Sequence, residues 1–181
     1  MVYVFLADGF EEVEAICPVD ILRRGGIEVK TVGVGGKTVT GAHGIRVVAD
    51  ITADEAVFEN TEAVILPGGM PGTLNLKKDS VVNSFIDYAV KNELILAAIC
   101  AAPSILGQKG ILKGKRAVCY SGFEKELVGA EVLDIPAVRE GNIITACGAG
   151  AAAEFGFLLL EALCGDEQRV LDLKKGMKYL F

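Results

Sequence analysis

The stretch Leu94-Ile95-Leu96-Ala97-Ala98-Ile99-Cys100-Ala101-Ala102-Pro103 decides the fold. Its first six residues are apolar without a polar alternation, so both faces of the segment must be covered, as in a buried strand of a parallel sheet. A helix is expected next, from about Ala102 to Lys109, which leaves Cys100 at the junction of the two. A thiol flanked by small residues at a strand-to-helix turn has the logic of the nucleophile elbow, in which a tight turn lifts the reactive atom above the sheet.

The same pattern extends on both sides. Val2 to Ala7 is a short apolar run ended by Asp8-Gly9, and Glu11 to Arg24 carries Val13, Ile16, Cys17, Ile21 and Arg24 at helical spacing before Gly25-Gly26. Pro18 lies inside that helix and removes a backbone donor, so a bend or a later start is expected there. Ile27 to Val34 reads as a strand, Gly35-Gly36 as a turn, and Ile45 to Ala49 as the return of a hairpin-like insertion. Ala63 to Leu66 is a buried strand running into Pro67-Gly68-Gly69. Asp79 or Ser80 then caps a helix through Val82, Phe85, Ile86 and Val90. Beyond the elbow, strands are expected near Ala117 to Cys119 and Ile143 to Ala146. An apolar helix from Ala151 to Leu163, stopped by Cys164-Gly165, and a short tail helix from Gln168 to Lys174 complete the chain.

Strands apolar on both faces and alternating with helices define a doubly wound α/β architecture, a mostly parallel sheet with helices on both sides. No linker, repeat or low-complexity tract interrupts residues 1–181, so one domain is expected. Ligands in such folds sit at the carboxyl ends of the strands, which gathers the loops Asp8 to Glu14, Pro67 to Thr73 and Cys100 to Pro103.

Composition narrows the function. Among 181 residues, 51% are hydrophobic, and 24 acidic residues outnumber 18 basic ones for a net charge of -6. No stretch concentrates Lys and Arg, so nucleic acid and anionic membrane are not expected partners. No uncharged run is long enough for a membrane span, and the first residues lack the basic start of a signal peptide. Five cysteines, odd in number and without C-x-x-C spacing, suggest neither a disulfide framework nor a metal ribbon and point to a reducing cytoplasm.

Three groups around the elbow could carry chemistry. Cys100 sits at a helix N-terminus, where the macrodipole favours thiolate, although a free cysteine most often ends as a small buried apolar residue. Backbone N–H groups of Gly69 and of Ala101 could face a developing oxyanion, although glycine and proline after a strand are also ordinary turn chemistry. Of the acids Glu11, Glu12 and Glu14, the first two fit simple dipole complementation. Glu14 is the candidate to enter the crevice, where burial beside a thiolate would raise its pKa and let it move a proton. His43, in Gly41-Ala42-His43-Gly44, is the only histidine, so a Cys-His mechanism has no other base; a surface turn would explain it equally well.

Taken together these residues resemble the ThiJ/PfpI superfamily and, within it, the DJ-one branch. The segments that carry the resemblance are Gly9-Phe10-Glu11-Glu12-Val13-Glu14, Pro18-Val19-Asp20 with Leu22-Arg23-Arg24-Gly25-Gly26, Val64-Ile65-Leu66-Pro67-Gly68-Gly69, Ala97 to Pro103, and Glu154-Phe155-Gly156. The resemblance implies a flavodoxin-like three-layer sandwich and a homodimer in which part of the helix Ala151 to Leu163 is covered by the partner. It implies Cys100 as an oxidation-prone nucleophile, Glu14 as its hydrogen-bonding carboxyl, and Gly69 with Ala101 as the oxyanion site. Arg24 falls on an arginine kept near the dimer interface and ranks as structural before catalytic. Two positions depart from the family. Ala101 stands where protease-like and several glyoxalase-like relatives have histidine, and Tyr120 stands where a histidine often approaches the cysteine. A Cys100–Glu14 pair is therefore the expected core, with His43, Tyr120 and Arg24 as accessory candidates.

The activity so implied is processing of reactive α-oxoaldehydes such as methylglyoxal, free or added to protein, of glyoxalase or deglycase type and without metal or organic cofactor. The alternative at the same sulfur is an oxidative-stress sensor or chaperone. A PfpI-type peptidase is disfavoured by Ala101, and a glutamine amidotransferase by the absence of any histidine after His43. A thiazole-phosphate or thiamine-biosynthetic role has no phosphate loop to support it.

Overall fold

The computed structural model describes residues 1–179. Seven strands form the central sheet: β1 (Val2–Leu6), β2 (Val29–Gly33), β5 (Ile51–Thr52), β6 (Ala63–Leu66), β7 (Ile95–Ile99), β10 (Ala137–Glu140) and β11 (Ile143–Ala146). Their spatial order is β10-β11-β7-β6-β1-β2-β5, and every pair is parallel except β10 with β11. A hairpin of β3 (Thr38–Thr40) and β4 (Arg46–Val48) leaves the sheet after β2, and β8 (Arg116–Ala117) pairs with β9 (Glu131–Val132) in a second small ribbon.

Two-sided burial follows from the pleat. Val2, Val4 and Leu6 of β1 enter one apolar layer and Tyr3 and Phe5 the other; in β7, Ala97 and Ile99 enter the first layer while Leu96 and Ala98 enter the second. Helices α1 (Glu12–Arg24) and α5 (Ala152–Cys164) cover the first layer, with Val170 of α6 (Glu167–Gly176). Helices α2 (Gly72–Lys78), α3 (Ser80–Lys91) and α4 (Pro103–Gln108) cover the second through Leu76, Phe85, Ile86 and Leu106. The result is the expected flavodoxin-like sandwich.

Local departures have local causes. Helix α1 runs through Pro18 without a later start, because α5 packs against that turn: a Cβ on Gly156 would lie 3.2 Å from Pro18 Cα and 2.7 Å from Ile21 Cδ1. The strand expected at Ala117 to Cys119 is only Arg116–Ala117, and it belongs to the small ribbon. Helix α2 was not expected, since seven residues after a Pro-Gly loop are too few to show a period. The face of α5 that carries Phe155, Gly156, Leu159 and Leu160 is buried within this chain. The apolar side chains left open nearby are Val13 and Ile16 of α1, at 49% and 39% exposure. Asp79 is the N-cap of α3, accepting from Val82 N at 2.9 Å. Among the described residues no helix is long and apolar enough to cross a membrane.

Candidate active site

Cys100 ends β7 in a left-handed conformation, φ +65°, a strained state for a non-glycine residue that costs of order 1–3 kcal/mol and persists only where its surroundings impose it. The constraint is visible: its N–H donates to Ala146 O at 2.9 Å, and its carbonyl accepts from Tyr120 N at 2.8 Å. The turn aims the half-buried thiol toward α1 and away from the strand's own pleat.

Glu14, in the first turn of α1, meets it there. The carboxyl is 1% exposed and hydrogen-bonded to the Cys100 thiol, and its Oε2 accepts from Gly68 N at 2.9 Å. Burial raises its pKa to about 7 against the lowering effect of those two hydrogen bonds. Burial also pushes the Cys100 thiol up, to about 12 while Glu14 is ionised, with the Glu14 charge and hydrogen bond adding to it; the N–H groups of Gly69 and Ala101 bond the sulfur and act the other way. The two groups therefore titrate as one unit. Below about pH 7 both groups carry protons; above it the pair holds one proton between them, and when Glu14 carries it the charge that opposes thiolate is gone.

Glycines make this closeness possible. A Cβ on Gly68 would lie 2.6 Å from both Cys100 Cβ and Glu14 Oε2 and 2.9 Å from Ile99 O. Gly69, φ +87°, has Glu11 N 2.3 Å from the same virtual atom and Gly9 O at 2.5 Å. Sequence reasoning singled out Gly69 and missed Gly68. The Pro-Gly-Gly run marked the loop, but only the fold shows which glycine touches both reacting side chains.

The remaining candidates take distinct places. Tyr120, 54% exposed, leans on the loop after β11, where a Cβ on Gly148 would meet its ring at 3.2 Å and Glu14 Oε1 at 3.8 Å, so the ring stands at the edge of the pair. His43 is joined to other acids: its Nδ1 lies 3.0 Å from Glu12 Oε2 and 3.5 Å from Glu11 Oε1. Glu12 was expected only to complement the helix dipole, yet it is 6% exposed and accepts from His43 N at 2.9 Å and Ile45 N at 3.3 Å, clamping the hairpin loop to α1. Burial raises the Glu12 pKa, but the hydrogen bonds from His43, Ile45 and its own backbone together hold it below the usual range. The hydrogen bond to Glu12, then the charges of Glu11 and Glu12, raise the His43 pKa. Arg24 closes α1 far from the thiol and donates to Asp20 Oδ2 at 2.7 Å. Among the described residues, Glu11, Glu12 and His43 alone have donor atoms spaced for a metal ion, all within 4.8 Å.

A flavodoxin-like α/β protein with a strained cysteine at the end of a central strand, a protonatable carboxyl on its sulfur and two backbone donors beside it is the class this fold and site define. Residues 1–162 match the model of the DJ-1/PfpI family, and the chain belongs to that family. It is 34% identical over 177 residues to protein dj-1beta of Drosophila melanogaster, covering 96% of this chain and 94% of that one. It is 32% identical over 160 residues to a glutathione-independent glyoxalase of Caenorhabditis elegans, covering 87% and 85%. A cysteine-to-alanine mutant of a DJ-1 superfamily protein from Salmonella typhimurium superposes with a TM-score of 0.93 at 36% identity, covering 99% of this chain and 98% of that one.

Proposed function

We propose that the protein converts small α-oxoaldehydes, methylglyoxal in the first place, to hydroxy acids through Cys100, without glutathione. The observation that carries this reading is the buried Glu14 carboxyl, hydrogen-bonded to the Cys100 sulfur and poised to gain or lose a proton near pH 7, where a general acid–base is most effective. The glyoxalase relative of Caenorhabditis elegans supports the substrate class.

Glu14 takes the thiol proton as sulfur attacks the aldehyde carbon, and returns it to the former carbonyl oxygen, giving a hemithioacetal. The N–H groups of Gly69 and Ala101, which bond the resting sulfur, stabilise the oxyanion as the C–S bond forms. Glu14 then moves the aldehydic C–H proton to the neighbouring carbonyl carbon while the hemithioacetal hydroxyl proton passes to that carbon's oxygen, leaving a thioester of lactate. Water releases lactate and restores the thiol. A hemithioacetal or hemiaminal on protein first breaks its C–S or C–N bond, returning the protein thiol or amine with the proton of the adduct hydroxyl, and the freed aldehyde follows the same steps, which is the deglycase variant of the reading. Two copies of the chain meeting through Val13 and Ile16 of α1 would form the homodimer, and a cytoplasmic setting suits the free thiol.

Methylglyoxal consumption and lactate formation by purified wild type and Cys100→Ser test it. Wild type is expected to form lactate and Cys100→Ser none above buffer; equal rates would end the proposal. A second reading, oxidation sensing at the same sulfur, rests on the same two N–H donors, which would equally hold the oxygens of a sulfinate.

A further inference from the structure

Cys147 ends β11 as Cys100 ends β7, and these strands are neighbours. Their parallel ladder pairs Ala98 with Thr145 and Ile99 with Ala146. Cys100 N then donates to Ala146 O at 2.9 Å, the bond a parallel ladder makes when Cys100 stands opposite Cys147. Adjacent strands are ~4.8 Å apart, and a disulfide needs Cα atoms about 4.4–6.8 Å apart. Both thiols are free, half-buried and packed against the same apolar layer, under α1 and α5. Gly148, the residue after Cys147, borders the site: a Cβ there would lie 3.2 Å from the Tyr120 ring and 3.8 Å from Glu14 Oε1. The other cysteines lack this placement: Cys119 is buried in the opposite layer, and Cys17 and Cys164 lie on α1 and at the end of α5.

We propose that Cys147 is the resolving thiol of Cys100, making the pair a reversible two-electron couple for hydroperoxides. The Cys100 thiolate attacks the terminal peroxide oxygen; the O–O bond breaks, the alkoxide or hydroxide leaves with a proton, and the sulfur becomes a sulfenic acid. Cys147 sulfur then attacks Cys100 sulfur, the S–S bond forms, and hydroxide leaves as water with the proton of the Cys147 thiol. In sum, two thiols and one hydroperoxide give one disulfide, one alcohol or water, and one further water. An external dithiol reverses the step. Both cysteines stand where their strands end, so closure asks little of the sheet. Resolution by Cys147 competes with a second peroxide, which would carry Cys100 on to sulfinate.

The inference shares the reactivity of Cys100 with the aldehyde reading but needs no aldehyde. Reduced wild-type protein is treated with one equivalent of hydrogen peroxide, remaining thiols are alkylated, and intact mass and tryptic peptides are read. The expected result is three alkyl groups where the fully reduced protein takes five, a loss of about 2 Da beneath them, and a Cys100–Cys147 linked peptide that dithiothreitol removes. Cys147→Ser given two equivalents, the amount a sulfinate consumes, should instead accumulate dioxidised Cys100, about 32 Da heavier, at least about tenfold more than wild type given the same dose. A wild type that forms Cys100 sulfinate without the linked peptide, or links Cys100 to Cys119, overturns the proposal. The linked peptide is read in wild type, so no variant has to fold for the test to decide. Methylglyoxal turnover in the same preparation separates the two claims: turnover without the link sinks this one alone, and the link without turnover sinks the aldehyde reading alone.

Discussion

Glu12 and Glu14 lie two residues apart in one helical turn, and both are more than nine-tenths buried, yet they behave in opposite ways. Glu12 faces the hairpin, accepts from two backbone N–H groups and the His43 ring, and stays ionised below its usual pKa. Glu14 faces the elbow, has one backbone donor and a thiol, and is raised to about 7. Both are closed to solvent, but Glu14 lies deeper and has fewer donors, so depth and hydrogen bonding together decide which acid fixes structure and which exchanges protons. One side of the turn holds the fold, and the other is available for chemistry.

Breaking the proton-exchanging side should have the largest effect. Glu14→Gln keeps the shape of the side chain but cannot exchange a proton, and methylglyoxal turnover should fall by roughly 100- to 10,000-fold with an unchanged circular dichroism spectrum. The same variant sharpens the comparison through stability. In the native protein the Glu14 carboxyl keeps its proton to about pH 7, in the unfolded chain only to about 4.5. Between those values the native state binds the extra proton, so stability declines as pH rises. That loss amounts to up to about 3 kcal/mol. Urea titrations across this window should show the decline in wild type and a flatter course in Glu14→Gln.

Breaking the structural side gives the converse. Glu12→Ala strands the N–H groups of His43 and Ile45, and chemical denaturation should show a loss of about 2–3 kcal/mol, while turnover per folded molecule falls far less than in Glu14→Gln. His43→Ala should be the mildest change. Its raised imidazole pKa means that its stabilising contribution is present at acid pH and lost as pH rises through that value, so wild type and variant should melt together at alkaline pH and apart at acid pH.

The sandwich was legible because its strands are apolar on both faces, a pattern that few other folds require. LILAAI and AVIL needed no partner information to be placed inside. The elbow was legible for a similar local reason, small residues on both sides of one cysteine. Helix α2 was not, since seven residues are too short for a period to stand out, nor was edge strand β10, Ala137–Glu140, whose Arg139 and Glu140 break the apolar run that marks the inner strands. The role of Glu12 was invisible for a different reason. Its partners His43 and Ile45 lie 31 and 33 residues away, and only the docking of the hairpin turns a dipole-complementing acid into a clamp. His43 was weighed as a partner for the thiol, and that clamp is where the fold puts it. Gly68 needed the third dimension as well, because two adjacent glycines look alike until a Cβ is placed on each.

The central claim is that Glu14 and Cys100 share one proton. The pH dependence of Cys100 alkylation, measured with iodoacetamide in wild type and Glu14→Gln, tests it most directly. The rate in wild type should rise through pH about 7, where the pair loses its first proton, and then level off, and this step should vanish in Glu14→Gln. A single profile common to both proteins, rising only where an ordinary cysteine ionises, near about pH 8.5, would contradict it.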